Sequence, residues 1–555
     1  MKTSIRILAA LLALVMCVGL MAGCEQKPAE TTKPAETTKP AGTTAPADTT
    51  APADTTPAAP LKNADIYPLE GSPELEVLIV NGTASKYADR EVVATWQKAT
   101  GVKVNWVEVA DNAAYTTYIA GGNWTDVIMA SGIDKATLKE YGDAGKLVNL
   151  AEYKDIMPNV WRAIELYDGA YETIVNDDGS IYTLPYLCNT TTVGSPLYYR
   201  SDMAEAAGLS ELPTTIDEFF TWLEGWQNYY GKDGKEFYCF IPYSSGDMNY
   251  GGTLAGFFFP AFGELVKTQL HEHNGEIVLG AATEQFKEYL KFMNKLYNTP
   301  GFYTESFVAD PNFTKGLITE GKTGLATTMT HLTKDAFPSG NFDIYGLKPL
   351  TSDSWSTPHV AAKNVPGWSN FCLTTACEDI ETACRWMDAF FAPIEDPLNE
   401  EGTLWGLTPW RGELGVNFEF VGENAYKSYC PEGYASHLAW ITDHYITSSY
   451  VGDVPYIDDA DSALSRKSYI MGECMDPYAE PWGNVTYLSL SSDDQDEYAT
   501  LWTDIDKYLV SMNSAFITGE KDIDAEWETY INTLNQMGLE RVIEIYQAAY
   551  DAQNG

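Results

Sequence analysis

Between Glu74 and Tyr141 the sequence alternates strand-like and helix-like runs, and this alternation limits the possible folds more than any other stretch. Leu75, Val77 and Ile79 share one face of an extended run. A helical run from Tyr87 to Ala99 follows and stops at Gly101; then come a strand (Val102 to Val109), a helix (Asn112 to Ala120), a strand (Asp126 to Ala130) and a helix from Lys135 towards Tyr141. Units this short imply a parallel sheet with helices on its faces. Ligands of such sheets sit at the carboxyl ends of the strands, here the loops at 82–86 and 131–134.

A second pattern begins after Asp178. Ile181 to Leu184 reads as extended and ends at Pro185, Asn189 to Gly194 is a polar break, and Leu197 to Tyr199 is extended again. A hairpin fits this stretch, but α/β patterns on both sides favour a crossing between two halves, with 189–194 as its pivot. Beyond it, Thr215 and Glu218 are spaced as a capping box. Phe219, Trp222, Leu223 and Trp226 then form a core stripe, and Phe286, Tyr289, Leu290, Met293 and Tyr297 form another. The C-terminal part reads as three helices: Tyr498 to Met512, Ile523 to Leu534 with Gly538 ending it, and Glu540 to Ala552. The acids at 493, 494, 496 and 497 suit a helix first turn after Ser491 or Ser492.

The N-terminus lies outside this pattern. Lys2 and Arg6 precede an apolar run from Ile7 to Met21, then Ala22, Gly23 and Cys24, which reads as a signal peptide over 1–23. Cysteine at the cut resembles a lipobox, which implies that Cys24 is lipidated. Residues 24–60 are Thr, Pro and Ala with a few charges, a composition expected to be a disordered tether reaching ~110 Å when extended. No other segment is apolar and long enough to span a membrane.

The balance of 78 acids against 35 bases, a net charge of -43, argues against nucleic-acid binding. Of the nine cysteines, the seven beyond Cys17 and Cys24 show no paired or zinc-like spacing and read mostly as small buried apolar residues. Gly316 to Thr323 matches the P-loop pattern, yet helix precedes it and strand follows, the reverse of what phosphate binding needs. No H-E-x-x-H, G-x-S-x-G or G-x-G-x-x-G constellation appears. The 15 Trp and 35 Tyr are many, and flat rings stack on the C–H faces of sugars while hydroxyls need Asp, Asn, Arg or Lys partners. Trp405 to Arg411 holds both kinds of residue in an expected loop, and Asp247 and Asn249 beside Tyr243 form a second such group.

In order along the chain, Gly121 to Ile128, Gly145 to Leu150, Asp178 to Pro185, Leu197 to Arg200, Pro213 to Phe219 and the tail from Phe516 to Tyr550 resemble the family 1, sugar-type extracellular solute-binding lipoproteins of bacterial ABC importers, in their long Gram-positive branch. The likeness runs over roughly residues 70 to 555. It implies a two-lobed, periplasmic-binding-protein-like (type II) α/β fold with hinge crossings and extra C-terminal helices. By position, lobe 1 takes 66–190 and 324–368, lobe 2 takes 195–323 and 369–490, and 491–555 pack on the lobes as helices. The implied function is capture of a neutral oligosaccharide between the lobes and delivery to ABC permease subunits, with no catalysis. A monomer at the extracellular face of the membrane, held by lipid alone, is expected. A peptide or other small solute, or a secreted glycoside hydrolase, are the alternatives. The implied contacts are Lys86, Ser131, Asp134, Tyr243, Asp247, Asn249, His331, Trp355, Trp368, Trp405, Trp410 and Arg411. Some relatives carry a calcium loop after the Phe219 helix; here 228–236 lacks oxygen ligands at alternate positions, so no metal and no cofactor is expected.

Overall fold

The computed structural model describes residues 62–554 except 83–84, 130–132, 168, 188–191, 194, 244–247, 330–331, 333–343, 364–366, 370, 423–424, 430–443, 445, 447–469, 484, 486–487 and 489, and for 192–193, 363, 368, 421–422, 425–428 and 492 only the backbone. Its first half opens with β1 (Glu74–Val80), β2 (Lys103–Val109) and β3 (Val127–Met129), with helices Glu91–Thr100, Asn112–Ala120 and Lys135–Asp143 after them. After β4 (Pro185–Tyr186) and β5 (Thr192–Val193) the chain enters a second half with β6 (Tyr198–Arg200), the hairpin β7 (Leu270–His273) and β8 (Glu276–Leu279), β9 (Leu325–Ala326) and β10 (Ile344–Gly346). It leaves through β11 (Val360–Lys363) and β12 (Gly367–Trp368) and rejoins the first half at β13 (Phe371–Leu373), followed by the hairpin β14 (Phe418–Gly422) and β15 (Ala425–Ser428). The last strand, β16 (Ala479–Pro481), precedes helices Ser492–Thr518, Ile523–Gln536 and Leu539–Asn554.

The first sheet has the order β13-β3-β1-β2, with β1 parallel to both β2 and β3 and β13 antiparallel to β3. Its two faces follow from the alternation along β1. Leu75, Val77 and Ile79 join a cluster with Trp96, Met387 and Phe390, whereas Leu78 joins Tyr115, Ile119 and Leu138 on the other face. Gly101 ends its helix at φ +76°, the left-handed C-terminal cap for which glycine is favoured.

The second half is built around β10-β6-β9, all antiparallel neighbours. Its helix Ile216–Tyr230 has the expected capping box of Thr215 and Glu218, and Phe219, Trp222, Leu223 and Trp226 are buried. A cap contributes about 1 kcal/mol, and each large buried side chain about 1.5–3 kcal/mol, so the stripe rather than the cap holds this helix. All three C-terminal helices pack on this core, through Ile505, Leu509, Phe516, Tyr530 and Ile545 among others. Ser491 caps the first of them, accepting from the Asp494 amide.

Three expectations are corrected. The described residues of 324–363 do not return to the first half: β9 pairs with β6, and Leu325, Ile344 and Val360 lie in the second core. Residues 369–404 do not belong to the second half, because β13 adds to the first sheet and Ala383 to Leu404 pack beneath it. The third lies at the joint: Ile181 makes only an isolated bridge to Val175, and strand pairing starts at Pro185.

The crossing itself is an interrupted ribbon. Pro185 and Tyr186 pair with Trp368 and Gly367, and Thr192 and Val193 pair with Lys363 and Ala362, both antiparallel. β16 joins the second piece, parallel to β11. The expected pivot at 189–194 lies outside the described residues except for β5. The P-loop look-alike is helix Pro311–Thr319, a turn and then β9, as its reversed order implied. Cys239, Cys372, Cys377, Cys384 and Cys474 are buried.

Candidate functional site

At the carboxyl ends of β1 and β2 a polar network ties Asn81, Ser85 and Tyr87 to Glu108 and Arg90. Asn81 Nδ2 donates to Glu108 Oε2 (2.6 Å) and to the Ser85 carbonyl (2.8 Å), and the Tyr87 amide donates to Glu108 Oε1 (3.1 Å). Arg90, 3% exposed, donates to Asn81 Oδ1 (3.2 Å) and the Ser85 carbonyl (3.4 Å). Its guanidinium lies 3.7 Å from the Tyr87 ring centroid, and Tyr87 packs on Trp106 at 5.1 Å. A buried guanidinium is tolerated only when so paired, and here it joins Asn81 to Ser85. Lys86, on that loop, is exposed.

Residue types alone did not reveal Arg90, Asn81 and Glu108 as the builders of this loop. The available signal was the break in alternation: a Glu at the end of an apolar strand and an Arg opening the next helix.

At the end of β3, Ser131 lies outside the described residues. Asp134 caps the next helix, accepting from the Thr137 amide and hydroxyl, both at 2.8 Å. Its carboxylate is therefore engaged in helix initiation, which accounts for an aspartate at that position without a ligand. Burial pushes the Lys135 ammonium down to about 8, against the pull of Asp177, and Lys135 donates to the Glu172 carbonyl at 3.3 Å.

In the second half, Tyr243 is half-buried and its amide donates to Thr327 Oγ1 at 2.9 Å, because Ile241 bridges to Ala326 of β9. Asn249 is half-buried and its carbonyl accepts from Gly252. Asp247 and His331 lie outside the described residues. Trp355 closes a tight turn with Ser352 through two backbone bonds of 3.0 and 3.2 Å, and its ring stacks on His359. The backbone of Trp368 pairs with Pro185 in the crossing ribbon.

The Trp405 to Arg411 segment departs from expectation. Thr408–Arg411 is a helical turn rather than a loop, with Pro409 at its start. Trp405 is 5% exposed and packs with Leu407 and Phe418 in a small apolar cluster. Arg411 is buried with its guanidinium 5.4 Å from the half-buried Trp410 ring. The cause is Gly406, whose amide donates to the Ala392 carbonyl at 2.9 Å; a Cβ there would meet the Phe390 and Ala392 carbonyl oxygens at 2.5 and 2.9 Å. The glycine draws the segment onto the first-half backbone, so its presence does not mark an open loop.

Of the expected contacts, the structure brings Lys86 and Asp134 to the carboxyl edge of the first sheet, and Tyr243 to the end of β9. It does not place Trp405 on a free surface. Among the described residues no group of three or more acidic, His or Cys side chains could hold a metal ion. Residues 228–236 form the end of a helix and a 3-10 turn at Lys232–Gly234, with Lys232 over the Tyr229 ring at 4.9 Å.

Residues 81–393 match the family described as bacterial extracellular solute-binding protein. The fructooligosaccharide ABC transporter substrate-binding protein FusA of Streptococcus pneumoniae is 24% identical over 508 residues, 87% of this chain and 91% of that protein. The structure of FusA in complex with kestose aligns with a TM-score of 0.70 at 21% identity, over 87% of this chain and 99% of the other. A solute-binding protein described as HMO-binding and ABC-transporter-associated, from Bifidobacterium longum infantis, aligns with a TM-score of 0.67 at 16% identity, over 87% and 99%. Likenesses at such identities show a shared fold.

Proposed function

Because this chain belongs to the family of bacterial extracellular solute-binding proteins, we propose that it captures a neutral oligosaccharide between its two halves and delivers it to the permease of an ABC importer. Its fold is periplasmic-binding-protein-like with additional C-terminal helices, and it is a binding protein rather than an enzyme. One observation carries the reading. Two separate cores are joined by a short interrupted ribbon, and strand-end segments with ordered polar groups rise from both, at Asn81 to Arg90 on one side and Tyr243 with Thr327 on the other. Closing two such bodies over a solute turns binding energy into a change of shape that a permease reads.

The sugar class draws support from the relative of similar length and from the half-buried aromatic rings Tyr243, Trp355 and Trp410. Lys86, Ser131, Asp134, Asp247, Asn249, His331, Trp368, Trp405 and Arg411 complete the proposed set, Trp405 and Arg411 as supports from beneath. A lipid on Cys24 holds the protein, as a monomer, at the outer face of the cell membrane. No helix among the described residues is long and apolar enough to cross a membrane.

Titration calorimetry against kestose, other neutral oligosaccharides and short peptides tests the reading. Saturable heat with at least one oligosaccharide is expected; tight peptide binding with none to any sugar sinks it, and release of reducing sugar would point to a hydrolase. Arg90→Met is expected to weaken that binding about tenfold, the equivalent of one charge-assisted hydrogen bond, through loss of its bonds to Asn81 and Ser85. An unchanged affinity would remove the loop from the site.

A further inference from the structure

The short segment Met248 to Gly252, a few residues beyond Tyr243, is gripped from outside. Asn513, 2% exposed on the helix Ser492–Thr518, donates from Nδ2 to the Met248 carbonyl at 2.8 Å. Seven residues earlier on the same helix, Asp506 Oδ1 accepts from the Tyr250 hydroxyl at 2.7 Å. Residues seven apart lie on one helix face, about 10 Å apart along the axis, so a single face holds the segment on both sides of Asn249. The chain just before β7 adds to the grip. Thr268 Oγ1 donates to the Tyr250 carbonyl, and Gln269 Nε2 donates to the Gly251 carbonyl at 3.1 Å. Within the segment, the Gly252 amide donates to the Asn249 carbonyl at 3.2 Å.

The Asn249 side chain stands apart from this network. Met248 is fully buried and Tyr250 nearly so, whereas Asn249 is half-buried and its side-chain amide makes no hydrogen bond among the described residues. That amide carries both donors and an acceptor, on a backbone whose carbonyls are already taken. A polar group ordered in advance binds a solute more tightly, because little freedom is left to lose on binding. Asn513 has one side-chain bond in this arrangement: its Oδ1 is buried and accepts nothing from the described residues. Burying a half-paired amide costs stability relative to an apolar side chain, so packing alone does not account for asparagine here.

We propose that Asn513 is a positioning residue for solute binding: together with Asp506 it fixes the 248–252 segment from the C-terminal helix, so that the Asn249 amide meets the hydroxyls of the solute already in place. The solute's identity rests on the function proposed above; the grip on the segment does not.

Asn513→Leu keeps the branching of the side chain and removes the donor. In the full, unliganded chain, hydrogen exchange of the Gly252 amide is expected to quicken about tenfold, while the amides of β1 to β3 keep their rates. An unchanged Gly252 rate, or equal quickening in β1 to β3, overturns the proposal. If the variant does not fold, Tyr250→Phe probes the same grip by removing only the hydroxyl that Asp506 accepts, and a quickening of about threefold is expected. Affinity for kestose and for the other neutral oligosaccharides titrated above forms the second arm. Asn513→Leu is expected to weaken binding about tenfold in the wild-type background and less than twofold in an Asn249→Ala background, a dependence that a merely structural role does not produce. Equal losses in the two backgrounds, or no loss on Asn249→Ala alone, overturn the positioning role. Quickened Gly252 exchange with no oligosaccharide bound by the wild type supports the grip and counts against the sugar reading.

Discussion

Gly101→Ala is expected to lower the stability of the first half by about 3 kcal/mol or more, seen as an early urea transition. Two costs coincide at this position. A non-glycine residue at φ +76° is strained by about 1–2 kcal/mol. A Cβ there would also meet Leu69, its carbonyl oxygen and its amide nitrogen at 2.6 Å. Leu69 cannot easily retreat, because its amide donates to the Thr100 carbonyl at 2.9 Å, and forced overpacking costs about 1–3 kcal/mol. Gly145→Ala is the control: φ is +66° but nothing lies within 4 Å of the added Cβ, so about 1 kcal/mol is expected. Equal midpoints for the two variants would show that backbone strain alone acts at residue 101.

The second large effect is at Asp388, 1% exposed, which accepts from the Val160 amide at 2.8 Å and Asn159 Nδ2 at 2.7 Å. Burial pushes its carboxyl up to about 7, although these hydrogen bonds and the Arg385 charge pull the other way. Tyr67, whose hydroxyl donates to the Arg385 carbonyl at 2.6 Å, and Cys384 are titratable groups that feel its charge. The carboxyl is thus favoured in its protonated form when folded. Between the unfolded value near 4 and about 7 the folded state holds a proton that the unfolded state has released, so stability falls as pH rises through that window. Asp388→Asn, which carries no proton to lose, is expected to flatten this decline in urea midpoints measured from pH 4 to 7. Asp388→Leu leaves both donors buried without acceptors and is expected to cost roughly 2–5 kcal/mol at any pH in the window. A wild-type midpoint that stays flat from pH 4 to 7 would contradict the assignment.

Much of the first sheet was legible because apolar periodicity is a local property: Leu75, Val77 and Ile79 had to share a face whatever they packed against. The same holds for the Phe219 to Trp226 stripe. Partnership is not local, and the exchange of 324–363 with 369–404 shows the limit. β9 is two residues long, and its pairing with Tyr198 and Tyr199 and the burial of Leu325 and Ala326 in the second core decide which half it joins. The site was less legible for a related reason. Asp134 stands out by its place at a strand end and the Trp405 segment by its residue types, yet helix capping and a close-packed glycine put the same residues there for structural ends. Arg90 matters through bonds to Asn81 and Ser85, which no spacing rule separates from an ordinary surface arginine.

The described chain begins beside a small polar lock. The Asn63 amide donates to both carboxylate oxygens of Asp396 at 3.2 Å, its side chain donates to the Asp396 carbonyl at 2.7 Å, and it exchanges amide hydrogen bonds with Asn159, which holds Asp388. In mechanical terms this is a fixed attachment point. Any pull arriving along the chain from residues before Lys62 reaches the helices Pro158–Leu166 and Ile380–Ala389 before it reaches the sheet or the crossing ribbon. Under the proposed lipid anchor, the first half is the grounded body and the second half the moving one.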